Sequence, residues 1–204
     1  LSVLVWVLIL LALTSGVKAE NKPIHPKSFD AAGISQLKKI NPYLDGAGVK
    51  IGIISRSLTY IDGVPQNDYR CDITKDCLWG AKLSFHDSNI LPAGISEHNT
   101  KVCSTLFGLD PNAYNEQVGE FYYEGAVPEA EGKIYEFWYF LCENVFERKS
   151  CNADILTASF GSAFEDWWTR GIDALAEQKG LLIIASIGNG NIAFDPPLYP
   201  GANA

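Results

Sequence analysis

The chain has 204 residues, 47% of them apolar, 20% charged and 12% aromatic, fractions that suit one globular domain and rule out a disordered or low-complexity chain. Its 16 basic against 24 acidic side chains leave a formal charge of −8, which argues against a nucleic-acid-binding surface. It begins at Leu1 rather than Met and stops at Pro200-Gly201-Ala202-Asn203-Ala204 with no closing element, so it is expected to be a fragment, open at both ends.

Residues 1–13 form an uncharged apolar run, followed by Thr14 to Ala19. The run falls short of the roughly 20 residues a spanning helix needs. Small residues Val17 and Ala19 stand three and one places before a cleavage point after Ala19, and an apolar core followed by such a site predicts a secretory signal peptide over 1–19. The alternative is an uncleaved N-terminal anchor. Cleavage implies a secreted or periplasmic protein with no stable membrane insertion.

Residues 20–29 are polar with two prolines and are expected to be a linker; Ala31 to Ile40 predicts a short helix ended by Asn41-Pro42. The main domain is expected over 41–204. Val49 to Ile54 is a nearly continuous apolar strand of the kind buried on both faces of a parallel sheet. An irregular stretch over 59–80 contains Cys71 and Cys77, and Lys82 to His86 predicts a second strand. His98 to Phe107 reads as a helix, Lys133 to Phe140 as an aromatic strand, and Ala153 to Ser159 as a further strand. Phe164 to Lys179 is an amphipathic helix stopped by Gly180. Leu181 to Ile187 is another buried strand, closed by Gly188-Asn189-Gly190-Asn191. Of the five cysteines, near neighbours in an exported chain are read as disulfides, Cys71 with Cys77 and Cys142 with Cys151. Cys103, between Val102 and Leu106, is left as a buried small residue rather than a reactive thiol.

Strand and helix alternating in this way predict an α/β fold of three layers, a mostly parallel central sheet with helices on both faces, incomplete at its C-terminus. Ligands of such sheets sit at the edge formed by the strands' carboxyl ends. Ser55, Ser159-Phe160-Gly161 and Gly188-Asn189 all fall just past a strand, and His98 opens a helix that could reach the same edge. On their own, His98 also suits a helix cap or surface position, Gly188 to Asn191 an ordinary turn, and Ser159 a strand-end hydroxyl. Gly46-Ala47-Gly48 precedes its strand, whereas a phosphate cradle must follow one. No His, Cys or Asp spacing suggests a metal, and no cofactor is implied. Trp167 and Trp168 are expected to be core and helix-surface aromatics, and His25 and His86 carry no signal.

Six segments together resemble the subtilisin-like serine peptidases. Gly46 to Ile54 resembles the lead-in to their aspartate strand. His98-Asn99-Thr100-Lys101-Val102-Cys103-Ser104 resembles their histidine helix, usually His-Gly-Thr-His-Val-Ala-Gly. Gly125-Ala126-Val127-Pro128-Glu129-Ala130 is similar to their Gly-Val-Ala-Pro-x-Ala turn, and Ala153 to Gly161 to their substrate-binding strand. Leu181 to Asn189 resembles the strand carrying the oxyanion asparagine, and Tyr199-Pro200-Gly201 a turn that often follows it. The similarity spans roughly residues 40–204 in family order.

The resemblance implies secreted endopeptidase activity on an extended peptide or protein substrate, by a monomer. His98 would be the general base toward a serine nucleophile. Asn189 would donate to the oxyanion, and Ser159, Phe160 and Gly161 would pair with substrate backbone and wall its specificity pocket. Several positions depart from the pattern. The aspartate triplet is replaced by Ser55-Arg56-Ser57, so the carboxylate that orients the histidine is missing from its place; Asp62 is a candidate substitute. Arg56, if turned toward the histidine, would disfavour the imidazolium. Asn99 and Lys101 replace a glycine and a histidine. The nucleophile motif Gly-Thr-Ser-x-Ala-x-Pro does not occur before Ala204, so the polypeptide as it stands is expected to be inactive. Too few residues separate Ala19 from the first strand for a folded propeptide, and no calcium ligand set carries over. The alternative function is an inactive relative that binds extended peptides or acts as an extracellular interaction domain.

Overall fold

Three apolar runs, Lys50–Ser55, Ile155–Ala158 and Leu182–Ala185, become neighbouring strands of one sheet. The computed structural model describes residues 23–24, 27–56, 60–89, 92–160 and 167–186. In chain order its elements are β1 (Pro23–Ile24), α1 (Lys27–Ala31), α2 (Ile34–Ile40), β2 (Lys50–Ser55), β3 (Tyr60–Ile61), β4 (Val64–Pro65) and β5 (Asp68–Arg70). A 3-10 turn (Asp76–Leu78) leads to β6 (Leu83–His86), β7 (Gly94–Ile95), α3 (Glu97–Phe107), β8 (Leu109–Asn115), β9 (Gly119–Glu124) and β10 (Glu131–Glu136). Then come α4 (Phe137–Phe140) with a π-turn (Leu141–Phe146), β11 (Ile155–Ala158), α5 (Trp167–Lys179) and β12 (Leu182–Ala185).

The main sheet has the order β12-β11-β2-β10-β6, and every pairing in it is parallel. The chain is therefore an α/β protein with a five-stranded parallel centre. Ile53 of β2 stands opposite Ile134 of β10 and Thr157 of β11. Because side chains alternate along a strand, the two faces build separate cores. Ile51, Ile53 and Ile134 join Cys103 and Phe107 of α3 in one cluster. Ile54, Tyr135, Leu156 and Ala158 join Trp168, Ile172 and Leu175 of α5 in the other. Fully burying each of these large side chains contributes on the order of 1.5–3 kcal/mol. Gly52 is required by closeness: a Cβ there would meet Leu156 Cδ2 at 2.4 Å.

Several expectations change in detail. The expected linker over 20–29 already contains the start of α1, anchored by the buried Phe29. The helix expected over 31–40 is broken at Gly33, whose φ of +77° no L side chain adopts easily. The aromatic run expected to extend a strand to Phe140 leaves the sheet after Glu136. The Glu136 carboxylate accepts the Tyr139 N–H at 2.7 Å and caps a helical turn, and the spacing of Phe137 and Phe140 puts both rings into the α5-side core. The stretch 59–80, expected to be irregular, contains the β3–β4 hairpin and β5, which pairs in parallel with β7. A β8–β9 hairpin with β1 beside it forms a further three-stranded sheet. Trp168 is fully buried, as a core residue should be.

Neither expected disulfide is present in the structure, where all five cysteines stand unbridged. Sequence spacing misjudges where each sulfur points. Cys71, just past β5, is buried under α3 and lies within 3.6 Å of Cys103. Cys77, on the 3-10 turn, instead directs its thiol to Ser104 Oγ at 3.5 Å. Cys142 is exposed on the π-turn, whereas Cys151 is buried beside Tyr135, whose hydroxyl donates to the Cys151 carbonyl.

Candidate functional site

The carboxyl ends of β2, β10 and β11 release the chain at Ser55, Glu136 and Ala158, on one edge of the sheet. The helix carrying His98 starts under local control. Ser96 caps α3 by accepting the Asn99 N–H at 3.1 Å, and Glu97 in the first turn suits the positive helix end. Its start is tied to β5 as well: the Ser96 N–H donates to the Arg70 carbonyl at 2.8 Å.

Asn99, where the resemblance leads one to expect glycine, has a defined task. It is 1% exposed, and its Nδ2 donates to the Tyr69 carbonyl at 2.6 Å. Thr100 Oγ1 accepts the Asp72 N–H at 2.9 Å and donates to the Ser96 carbonyl at 2.8 Å. The polar first turns of α3 thus grip residues 69–72 along their length. Lys101, the other departure, points to solvent and pairs with Glu97 at 2.7 Å.

His98 itself is exposed. Together with Lys101, Val102, Thr105 and Leu106 of α3, and Thr157 and Ser159 at the end of β11, it lines a pocket of about 330 Å³. The structure therefore brings His98 and Ser159 to one cavity. Asn189, Gly161 and Ser57 lie outside the described residues. Phe160 is next to this rim but its ring does not line the pocket. It is 8% exposed, stacked on Trp168 at 5.7 Å and edge-on to Phe137 at 5.4 Å, so only its backbone could face a ligand. Its carbonyl already accepts from Ser186 Oγ at 2.9 Å.

Ser55 is 4% exposed and ends β2 opposite Glu136. Among the described residues no carboxylate is hydrogen-bonded to, or ion-paired with, His98. Asp62 does not supply one: it takes a φ of 51° in the Asp62-Gly63 turn between β3 and β4 and is exposed. Arg56 is not turned on the histidine either, because its guanidinium lies 5.4 Å over the Phe137 ring.

One cluster near the same edge went unnoticed in the sequence. The Tyr69 hydroxyl donates to Asp87 Oδ2 at 2.6 Å, and Arg70 reaches the same oxygen at 3.1 Å. The Arg70 guanidinium also covers the rings of Tyr69 and Phe85 at 5.7 and 5.3 Å. Burial alone would raise the Asp87 pKa; the bonds from Tyr69, the Asn89 backbone and Arg70 outweigh it and hold the carboxyl below its ordinary range. Burial and the Asp87 bond push the Tyr69 hydroxyl up. The only signal was Asp87 two places after Phe85 at a strand end. The group braces β5, to which α3 is tied, and its members are satisfied by one another.

Among the described residues, no group of three or more His, Cys, Asp or Glu is placed to hold a metal ion. Likewise, no described helix is long and apolar enough to cross a membrane. A scan against protein-family models finds no match to this chain, and a search of curated proteins finds none either.

Proposed function

We propose that the chain carries the histidine helix and the substrate-binding edge of a secreted, subtilisin-like serine endopeptidase site, acting on extended peptides as a monomer. The observation that carries this reading is the pocket shared by His98 and Ser159 at the carboxyl edge of the parallel sheet. A peptide laid along the end of β11 would pair with backbone there and bring a carbonyl toward the imidazole, the arrangement acyl transfer requires. The order of the resembling segments along the chain supports the same reading, as does the parallel α/β frame. Asn189 would be the oxyanion donor and Gly161 a further substrate contact.

A second reading, an inactive relative that holds peptides without cleaving them, is favoured by one specific feature. The resemblance puts Ser55 where the orienting carboxylate would stand, and a neutral group there lowers turnover by about 10⁴ in this mechanism. The deciding experiment measures hydrolysis of a quenched fluorescent peptide library by the product of the complete gene, beside His98→Ala and Ser55→Asp. The endopeptidase reading expects cleavage that falls by at least about 10³ in His98→Ala and rises in Ser55→Asp. Cleavage indifferent to His98 would overturn it. Peptide binding without turnover, weakened by bulky replacement of Ser159, would instead establish the second.

A further inference from the structure

Cys71 and Cys103 are 2% and 0% exposed and lie within 3.6 Å of one another in the core beneath α3. Among the described residues, they belong to no group of three or more His, Cys, Asp or Glu placed to hold a metal ion. They come from elements already drawn together: Asn99 and Thr100 of α3 hold the backbone at Tyr69 and Asp72, on either side of Cys71 in the chain. That backbone grip fixes the approach of the two sulfurs independently of any bond between them. We propose that Cys71 and Cys103 form a buried disulfide that locks the β5 end to the histidine-bearing helix. The bridge is distinct from the pair that spacing suggests; it needs no peptidase activity but rests on the proposed export to an oxidising compartment.

Closing the bond draws the two sulfurs from the observed contact to about 2.05 Å. The oxidant is a disulfide of a small thiol or of a thiol oxidase, as oxidising compartments supply. The Cys71 thiolate attacks that disulfide and expels one thiolate. The Cys103 sulfur, releasing its proton to the expelled thiolate, then displaces the second. Two protein thiols are oxidised and one disulfide is reduced to two thiols, so atoms and electrons balance. With the pair buried, the reaction belongs to folding, before the core closes. A bridge between positions 32 apart in the chain constrains the unfolded ensemble more than one between positions 6 apart.

The sequence allows a clean test, because trypsin puts each of the five cysteines on its own peptide: 71–75, 76–82, 102–133, 134–148 and 150–170. The intact protein is refolded in oxidised and reduced glutathione, its free thiols are blocked under denaturing conditions, and the digest is mapped without reduction. The expected result is peptide 71–75 joined to 102–133, and the same joined species in Cys77→Ala. Peptide 71–75 joined to 76–82, or both cysteines recovered blocked, would overturn the proposal. So would loss of the 71–75 to 102–133 species in Cys77→Ala protein that remains folded by circular dichroism.

Discussion

Asn99→Ala tests the claim that the buried amide, not helix propensity, fixes the start of α3. The native side chain is 1% exposed and its Nδ2 donates at 2.6 Å to the carbonyl of Tyr69, a residue with no exposed surface. Truncation removes the donor and leaves that carbonyl where water has little access, a loss of about 1–3 kcal/mol. Alanine is the better helix former by roughly half a kcal/mol, which offsets only part of it. The net expectation is a destabilisation of about 0.5–2.5 kcal/mol, or roughly 1–10 °C in melting temperature for a chain of this size. Asn99→Asp should be worse, since it exchanges the donor for a buried anion facing a carbonyl oxygen. Urea unfolding followed by circular dichroism, fitted with a common m-value, measures both variants. An unchanged midpoint for Asn99→Ala, or an Asp variant as stable as the parent, would refute the reasoning.

Two further perturbations probe the sheet. Gly52→Ala places a Cβ 2.4 Å from Leu156 Cδ2 and 3.3 Å from Ala153 Cβ and Tyr135 Cε2, and overpacking of this kind is expected to lower stability by about 1–3 kcal/mol in thermal unfolding. His86, stacked on Tyr135 at 4.7 Å, is held below the ordinary histidine pKa by burial and by the Lys133 ammonium, against a smaller opposing pull from Asp87. The unfolded chain takes up that proton near pH 6.5 and the folded chain only at lower pH. Stability contributed by neutral His86 is therefore present above about pH 6.5 and lost as the pH falls toward the folded-state value. Urea midpoints should drop more steeply between pH 7.5 and 5 for the parent than for His86→Gln; parallel curves would count against it.

β2 and β11 were readable because Val49 to Ile54 and Ala153 to Ser159 are largely apolar, a pattern that a covered parallel sheet tolerates; the run from Leu181 also reads as a buried strand, but β12 ends the described sheet and leaves Leu182 and Ile184 exposed. The start of α3 was readable in outline, and its cap Ser96 sits one residue before the helix. Phe137 to Phe140 misled because aromatic residues favour strands, whereas the Glu136 carboxylate decides the issue through one hydrogen bond. The β8–β9 hairpin stayed hidden behind the polar sequence of Leu109 to Asn115, with Pro111 inside it, which carries no alternation. The cysteines failed for a different reason. Nearness along the chain says nothing about which face of a turn a sulfur leaves from, and Cys71 and Cys77 leave toward different neighbours. At the site, Ser159 was placed by a strand end and His98 by a helix start, but the inward turn of the Phe160 ring depended on Trp168 arriving from α5.

Adjacent residues of β2 answer to different masters. Ile53 shares its surroundings with the underside of the helix bearing His98, while Ile54 faces the aromatic group around Trp168. The central strand therefore works as a partition between the packing under α3 and the packing against α5. Variation in a library randomised at Ile172 and Leu175 of α5 should move the helix bearing His98 less than variation at Ile51, Ile134 and Phe107, which share its core.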